Sequence, residues 1–163
     1  ALLDLGAIDK SGRLLPPQDA PEDMRRYLTG DGQGNGVFHL TKAVSLTARD
    51  VRNLQLAKAA VVGGIRVLLE QRGVTADDIA SVELAGGFGN YLSPENVVRI
   101  GMLPRACLSK IRPLGNTALA GASMLALDGE NWRKLAEIPE KCRYLELSGR
   151  DDFSHAFTDD LTF

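Results

Sequence analysis

The chain is poor in the residues that build metal sites and disulfide frameworks. It has two cysteines, Cys107 and Cys142, and two histidines, His39 and His155, and neither pair has metal-ligand spacing. A net charge of −2 gives no reason to expect nucleic acid or an anionic membrane as a partner. No apolar run approaches the ~18 residues of a membrane span, and no signal-peptide pattern opens the sequence. These absences predict a cytoplasmic protein with free, buried thiols.

The rest of the composition is that of an ordinary globular protein. The 163 residues are 44% hydrophobic and 25% charged, enough for one domain with a core or for two small lobes. Residues 1–6 resemble the last turn of a helix with Gly6 at its C-terminal cap, yet no start signal precedes them. Either a helix begins abruptly or the chain is the C-terminal fragment of a longer protein, and we expect the fragment.

A strand followed by a glycine-rich turn is the strongest pattern in the chain. An apolar strand at residues 81–85 leads into Gly86 and Gly87, and a helix capped by Ser93 starts just beyond, with Pro94 at its first position. Glycine permits positive φ and a close approach of bare backbone to a ligand. The pattern therefore predicts a turn that binds a flat or anionic ligand.

The same pattern recurs about thirty residues further on. A strand at residues 110–114 leads into Gly115 and Asn116, and a helix of small residues follows at residues 117–127. Two such turns in tandem predict a ligand cleft at the ends of adjacent strands of an α/β fold.

The longest predicted element is a helix over residues 48–72. Thr47 and Asp50 form a capping box at its start. Apolar residues at helical spacing predict its buried stripe, namely Leu54, Val61, Ile65 and Leu68. Lys58 and Gln55 lie along the same face, and two interpretations stay open. The Lys58 ammonium reaches the solvent rim along an apolar surface, or both side chains face a polar ligand.

Shorter elements complete the prediction. The glycine-rich segment at residues 30–36 fits neither a dinucleotide fingerprint nor a calcium loop, so it is predicted to be a surface hairpin loop. The other predictions are a turn at residues 7–13, an irregular segment at 14–24, a helical turn at 24–28, strands at 37–40, 43–46 and 143–147, and helices at 131–137 and from residue 151 or 152 onward.

No catalytic constellation stands out. The sequence has no Walker A loop, and no serine, histidine or cysteine grouping suggests nucleophilic catalysis. Paired carboxylates occur where helix starts need them, which explains them better than acid–base catalysis. The pattern that remains is typical of a binding protein.

Several stretches resemble the reductive activators of corrinoid proteins. They are QLAKAA at residues 55–60, LAGGFGNYL at 84–92, PEN at 94–96, RIG at 99–101, GNTA at 115–118 and DFSHAF at 152–157. The resemblance covers most of the chain from about residue 37 onward, and residues 1–14 also fit it.

The resemblance implies an α/β fold, the C-terminal part of a two-lobe actin-like (ribonuclease H-like) ATPase domain of the ASKHA superfamily, with helices packed on a mixed sheet. Residues 1–36 would be an irregular entry segment and loop, and residues 37–163 the nucleotide-binding lobe. The superfamily's phosphate-binding loops, and a ferredoxin-like domain carrying a [2Fe–2S] cluster, would lie upstream, outside this chain.

The function implied is an ATP-dependent electron transfer that returns the Co(II) of an inactivated corrinoid protein to Co(I). The implied ligand is ATP or ADP with magnesium. The implied partner is a corrinoid iron–sulfur protein or the corrinoid subunit of a methyltransferase, and a homodimer is expected. No catalytic residue and no metal ligand is assigned in this chain.

The nucleotide contacts follow from the resemblance position by position. Residues 86–88 match the superfamily's adenosine motif, and residues 115–116 match the second segment that connects the lobes. Gln55 and Lys58 lie on the helix that contacts ribose and adenine in the chaperone branch of the superfamily. The implied cofactor-binding residues are Gln55, Lys58, Gly86, Gly87, Phe88, Asn90, Gly115 and Asn116.

Two alternatives remain. One is an activator ATPase of another low-potential enzyme, such as a 2-hydroxyacyl-CoA dehydratase, and the other is a non-enzymatic actin-like module.

Overall fold

A computed structural model of the chain describes residues 1–87 and 91–163. These residues form two compact units. The first unit consists of Ala1–Val67 and Asp151–Phe163, and the second of Leu68–Arg150. None of the described helices is both long and apolar enough to cross a membrane.

The first unit contains a three-stranded antiparallel sheet. Its strands are β1 (Leu28–Gly30), β2 (Gly36–His39) and β3 (Ser45–Leu46), in the order β1-β2-β3. The loop between β1 and β2 is the predicted surface hairpin loop, and Asp31 closes it by accepting hydrogen bonds from the backbone N–H groups of residues 33 and 35. The predicted strands at residues 37–40 and 43–46 are confirmed with shifts of one or two residues.

The segment that precedes the sheet also follows its predicted course. Gly6 adopts φ +68°, and the N–H of Ala7 donates to the carbonyl of Leu2 at 2.9 Å, as at a helix C-terminus. The short helix α1 (Glu22–Arg25) begins two residues earlier than the predicted helical turn. The turn ends before Leu28 because that residue pairs with Phe38 in the sheet.

Apolar side chains from these elements form the core of the first unit. The buried members are Ala7, Ile8, Leu14, Ala20, Met24, Leu28 and Val51, with Leu2, Leu3, Leu15, Phe38, Leu46 and Phe163 packed around them. Residues from both ends of the chain therefore share one core.

Helix α2 (Ala48–Arg72) has the predicted bounds, but its predicted buried stripe is wrong. Leu54, Val61 and Leu68 are exposed. The buried positions are Val51, Gln55, Lys58, Ala59, Gly63, Gly64 and Val67. Small residues decide this orientation, because they let helix α6 (Asp151–Asp159) approach closely. A Cβ atom on Gly63 would lie 3.3 Å from the backbone nitrogen of Phe157.

The predicted capping box starts α2. The Thr47 hydroxyl accepts a hydrogen bond from the N–H of Asp50 at 3.3 Å, and the Asp50 carboxylate accepts from the N–H and hydroxyl of Thr47 at 2.9 and 2.6 Å. The hydroxyl of Thr47 holds the pKa of Asp50 below its usual value. The contribution of the box is therefore present above the usual aspartate pKa and is lost as pH falls through the lowered one.

Replacement of Thr47 by valine is expected to lower the stability of the first turn of α2 by about 1 kcal/mol, because an N–H group loses its acceptor. Hydrogen exchange of peptides from the start of α2 measures this loss. Thr47→Ser keeps the hydroxyl and serves as the control. Equal exchange rates in the valine variant and the wild type would contradict the prediction.

The second unit is built on a parallel pair of strands, β4 (Val82–Ala85) and β5 (Ile111–Gly115). Helix α3 (Pro94–Arg99) follows β4, and Ser93 caps it as predicted, with its hydroxyl accepting from the N–H of Asn96 at 3.3 Å. A 3-10 helix (Arg105–Lys110) precedes β5.

Two helices of the second unit follow β5. Helix α4 (Thr117–Leu127) has the predicted bounds, and none of its residues, all of which the structure describes, is buried. Helix α5 (Glu130–Lys141) is longer than predicted.

Two predictions fail in the second unit. The strand predicted at residues 143–147 is irregular, because alternation makes a strand only where another strand pairs with it, and no described strand does so. Cys107 is buried as predicted, but Cys142 is exposed at the end of α5.

Candidate functional site

The two glycine turns of the second unit meet at the carboxyl ends of β4 and β5. The N–H of Gly86 donates to the carbonyl of Gly115 at 2.8 Å. Both glycines adopt positive φ, +86° and +70°, which side chains rarely permit. The predicted juxtaposition of the two turns at the ends of adjacent strands is therefore present.

The backbone of the first turn is open. A Cβ atom built on Gly86 or Gly87 meets no described atom within 4 Å. A flat or anionic group is thus able to approach the peptide units of this turn without steric conflict from the described residues. Phe88 and Asn90, two further predicted contacts, lie outside the described residues.

Asn116 connects the second turn to α4. Its side-chain oxygen accepts a hydrogen bond from the N–H of Leu119 at 3.0 Å and so caps the helix. Because the cap uses one lone pair of this oxygen, Asn116 offers a ligand its backbone, its amide nitrogen and the second lone pair.

The side chain of Gln55 is committed within the first unit. It is 3% exposed, and its amide nitrogen donates to the carbonyl of Ser11 at 2.8 Å. Gly12 makes room for the amide, since a Cβ atom there would lie 2.1 Å from that nitrogen. The φ angle of Gly12 is +88°. The Gln55 amide and the turn at residues 9–12 therefore fit each other closely.

Lys58 is equally buried, with 3% of its surface exposed. Its ammonium donates to the backbone carbonyl of Thr162 and lies 5.8 Å from the centre of the Phe163 ring. Burial lowers the pKa of Lys58, and the negative charge of Asp160 opposes part of that shift. The interpretation that the ammonium reaches the solvent rim is wrong, because the side chain is buried and its ammonium ends on a backbone carbonyl of the same unit.

The predicted site residues thus fall into two sets. Gly86, Gly87, Gly115 and Asn116 belong to the second unit, and Gln55 and Lys58 lie next to each other on α2 in the first. The polar ends of the α2 pair are occupied by carbonyls of the same chain, and their contact with a nucleotide stays a prediction. The described residues contain no group of three or more histidine, cysteine and acidic side chains able to hold a metal ion.

Sequence reasoning missed two cavities of the second unit. One, of about 200 Å³, lies between α4 and α5 and is lined mainly by apolar side chains. The other, of about 280 Å³, is lined by residues 68, 71 and 72 at the end of α2 and by residues 143–145. The strong amphipathic pattern of α5 was a signal for the first cavity, since it predicts an apolar face.

Comparison with known proteins places the chain in a family. Residues 1–163 match the family model described as the C-terminal domain of RACo, the ASKHA domain. The chain is 34% identical over 116 residues to the corrinoid activation enzyme RamQ of Eubacterium limosum, covering 71% of this chain and 20% of the relative. It is 26% identical over 131 residues to the [Co(II) methylated amine-specific corrinoid protein] reductase of Methanosarcina barkeri, covering 79% of this chain and 24% of that relative.

A solved structure gives the same result. The reductive activator for corrinoid, iron–sulfur protein superposes with a TM-score of 0.86 at 30% identity, covering 99% of this chain and 26% of the activator. The chain therefore spans about a fifth to a quarter of the length of the relatives it matches. It belongs to the family of C-terminal ASKHA domains of the reductive activators of corrinoid proteins, as its motifs predicted.

Proposed function

We propose that this chain is the C-terminal, ATP-binding part of a longer reductive activator, which returns the Co(II) of an inactivated corrinoid protein to Co(I). The observation that carries the proposal is the likeness to a reductive activator over 99% of this chain. Two relatives support a corrinoid protein as the substrate, since one is a corrinoid activation enzyme and the other a reductase of a Co(II) corrinoid protein.

The nucleotide would lie against the open backbone of the first glycine turn. Gly86 and Gly87 leave the peptide units bare, and Gly115 holds the second turn beside them. The N-terminus of α4 follows at once and favours negative charge. The resemblance adds Gln55, Lys58, Phe88, Asn90 and Asn116 as further contacts.

An iron–sulfur cluster does not fit this chain. A [2Fe–2S] cluster takes four protein ligands, usually cysteine thiolates, and the chain has two cysteines, of which one is buried and the other exposed. The cluster would therefore belong to another part of the polypeptide. Magnesium would arrive with the nucleotide, because it usually binds through phosphates and water.

In this proposal the chain acts through its nucleotide state. ATP binding and hydrolysis would open or close the lobe against the rest of the domain and so alter how the corrinoid protein docks. One electron from a low-potential donor then converts Co(II) to Co(I). The partner would be a corrinoid iron–sulfur protein or a methyltransferase corrinoid subunit, and the activator would be a homodimer.

The test uses the full-length polypeptide, a low-potential reductant and an oxidised corrinoid protein. We expect the Co(II) absorbance band to disappear with ATP and to persist without it. No effect of ATP with several corrinoid partners would contradict the proposal and would favour the dehydratase activator or the non-enzymatic module.

A variant of Gly87 tests the site itself. A Cβ atom built on Gly87 meets no described atom within 4 Å, so we expect the fold to remain intact in Gly87→Val. The added side chain would occupy the space in which the nucleotide approaches the backbone. We therefore expect ADP affinity, measured with a fluorescent ADP analogue, to fall about tenfold or more, which corresponds to 1.4 kcal/mol of binding free energy.

Gly129→Val is the matched control, because a Cβ atom at Gly129 also meets no described atom within 4 Å and this residue lies at the start of α5. Its ADP affinity should equal that of the wild type. Unchanged ADP affinity in Gly87→Val would remove the first glycine turn from the nucleotide site.

A further inference from the structure

Four contacts fasten residues 160–163 to the first unit, and we call this segment the latch. The Arg66 guanidinium of α2 lies 2.8 Å from the Asp160 carboxylate, and the Lys58 ammonium binds the Thr162 carbonyl. The N–H of Phe163 donates to the carbonyl of Lys10 at 3.1 Å, and the Phe163 ring packs against the core. The latch is thus held by charge, backbone hydrogen bonds and apolar contact.

Lys58 is the only one of these groups that also carries a predicted role in nucleotide binding. Its ammonium lies inside the unit, near the Asp160 charge and the Phe163 ring. A lysine ammonium has three donors, but a side chain that is 3% exposed is unable to present them to a ligand. Contact with a nucleotide therefore requires that the latch first leaves Lys58.

We propose that the latch and the nucleotide compete for the Lys58 ammonium, so that the latch is an autoinhibitory contact. This inference rests on the proposed nucleotide-binding function. With the latch closed, Lys58 is satisfied by the Thr162 carbonyl. With the latch open, the ammonium is free to bind an oxygen atom of the nucleotide.

Competition implies reciprocity between the two events. If an open latch favours nucleotide binding, bound nucleotide must favour an open latch by the same factor. The apparent affinity of the protein for the nucleotide equals the affinity of the open form multiplied by the fraction of molecules whose latch is open. Weakening the latch without touching Lys58 must therefore strengthen nucleotide binding.

Two variants weaken the latch at different contacts. Phe163→Ala removes the ring that packs on the core, and Arg66→Gln removes the charge paired with Asp160 and, at 3.7 Å, with Asp159. In the full-length polypeptide we expect each variant to raise the affinity for a fluorescent ADP analogue by about threefold to tenfold. The gain is limited because opening the latch adds only those molecules whose latch was closed. Arg133→Gln, which removes an exposed ion pair with Glu130 on α5, is the control and should leave the affinity unchanged.

Hydrogen exchange gives a readout that does not depend on activity. The N–H of Phe163 is hydrogen-bonded in the closed latch. We expect saturating ADP to increase exchange in the wild-type peptide that contains residues 160–163. In Lys58→Ala, whose folding is verified by its melting curve, ADP should no longer have this effect and its affinity should fall several-fold.

The outcomes separate the latch from the function on which it rests. A wild-type protein that binds no ADP overturns both. ADP binding that is unaffected by Lys58→Ala, or unchanged or weakened in both latch variants, overturns the latch while the nucleotide-binding function stands. Tighter binding in Phe163→Ala and Arg66→Gln, together with faster exchange of the latch in ADP, supports it.

Discussion

Gly36→Ala is expected to unfold the sheet of the first unit, whereas Gly30→Ala, directly opposite in the same hairpin, is expected to be tolerated. The two glycines are paired in register at the ends of β2 and β1. A Cβ atom on Gly36 would lie 2.1 Å from the carbonyl oxygen of Leu15. That oxygen belongs to the backbone and is unable to rotate away, so the segment around Leu15 has to move.

The cost should reach the upper end for overpacking, about 3 kcal/mol. Displacement of this segment also threatens the hydrogen bond from the N–H of Gly36 to the carbonyl of Leu14 at 2.7 Å. Leu14 is fully buried in the core, so the core is disturbed as well. Hydrogen exchange of peptides covering β1 to β3 in the full-length polypeptide measures the loss of protection.

Gly30→Ala is a stringent control because the substitution is the same and only the atoms around the glycine differ. A Cβ atom on Gly30 meets no described atom within 4 Å, and neither glycine requires positive φ. Equal protection of the sheet in Gly36→Ala and Gly30→Ala would show that Leu15 does not approach Gly36 as described.

Gly12→Ala is expected to have the second large effect, since it combines backbone strain with a steric conflict. An alanine at φ +88° costs roughly 1–2 kcal/mol. Its Cβ atom would also displace the buried Gln55 amide and leave the carbonyl of Ser11 without its donor, at about 1–3 kcal/mol. The sum is roughly 3 kcal/mol, measured as lost protection of the first unit in hydrogen exchange.

Two further variants divide this effect into its parts. Gly34 has φ +91° but a Cβ atom there meets no described atom within 4 Å, so Gly34→Ala measures the backbone strain alone. Gln55→Ala removes the three atoms nearest to a Cβ atom on Gly12, so in that background Gly12→Ala should cost no more than Gly34→Ala. A full effect of Gly12→Ala in that background would mean that Gln55 does not occupy the space next to Gly12.

The sequence predicted those features that depend on neighbouring residues. The start of α2 follows from Thr47 and Asp50, which satisfy each other three residues apart. The cap at Gly6 and the two glycine turns follow in the same way, because positive φ is a property of single residues. The juxtaposition of the turns needed one further inference, that the strands preceding the turns are adjacent and parallel.

Features that depend on distant backbone escaped prediction. Lys58 shares a face of α2 with Gln55, as predicted, but this is not the face of the predicted apolar stripe. Its acceptor is a main-chain carbonyl 104 residues away. Every residue offers the same carbonyl group, so no side-chain pattern marks this one. The prediction of the buried face of α2 was wrong for a related reason. Glycine and alanine let a neighbouring helix approach closely, and a search for large apolar residues overlooks them.

The exposed surface of α4 has a consequence for handling the chain. Leu119, Met124 and Leu127 are 63%, 58% and 87% exposed, and the helix is apolar on every side. A net charge of −2 gives little electrostatic repulsion between molecules. In colloidal terms, molecules of the isolated chain attract each other through this apolar surface and repel each other only weakly. Salts that strengthen apolar association, such as sulfate, should therefore precipitate the chain at lower protein concentrations than are needed without the salt.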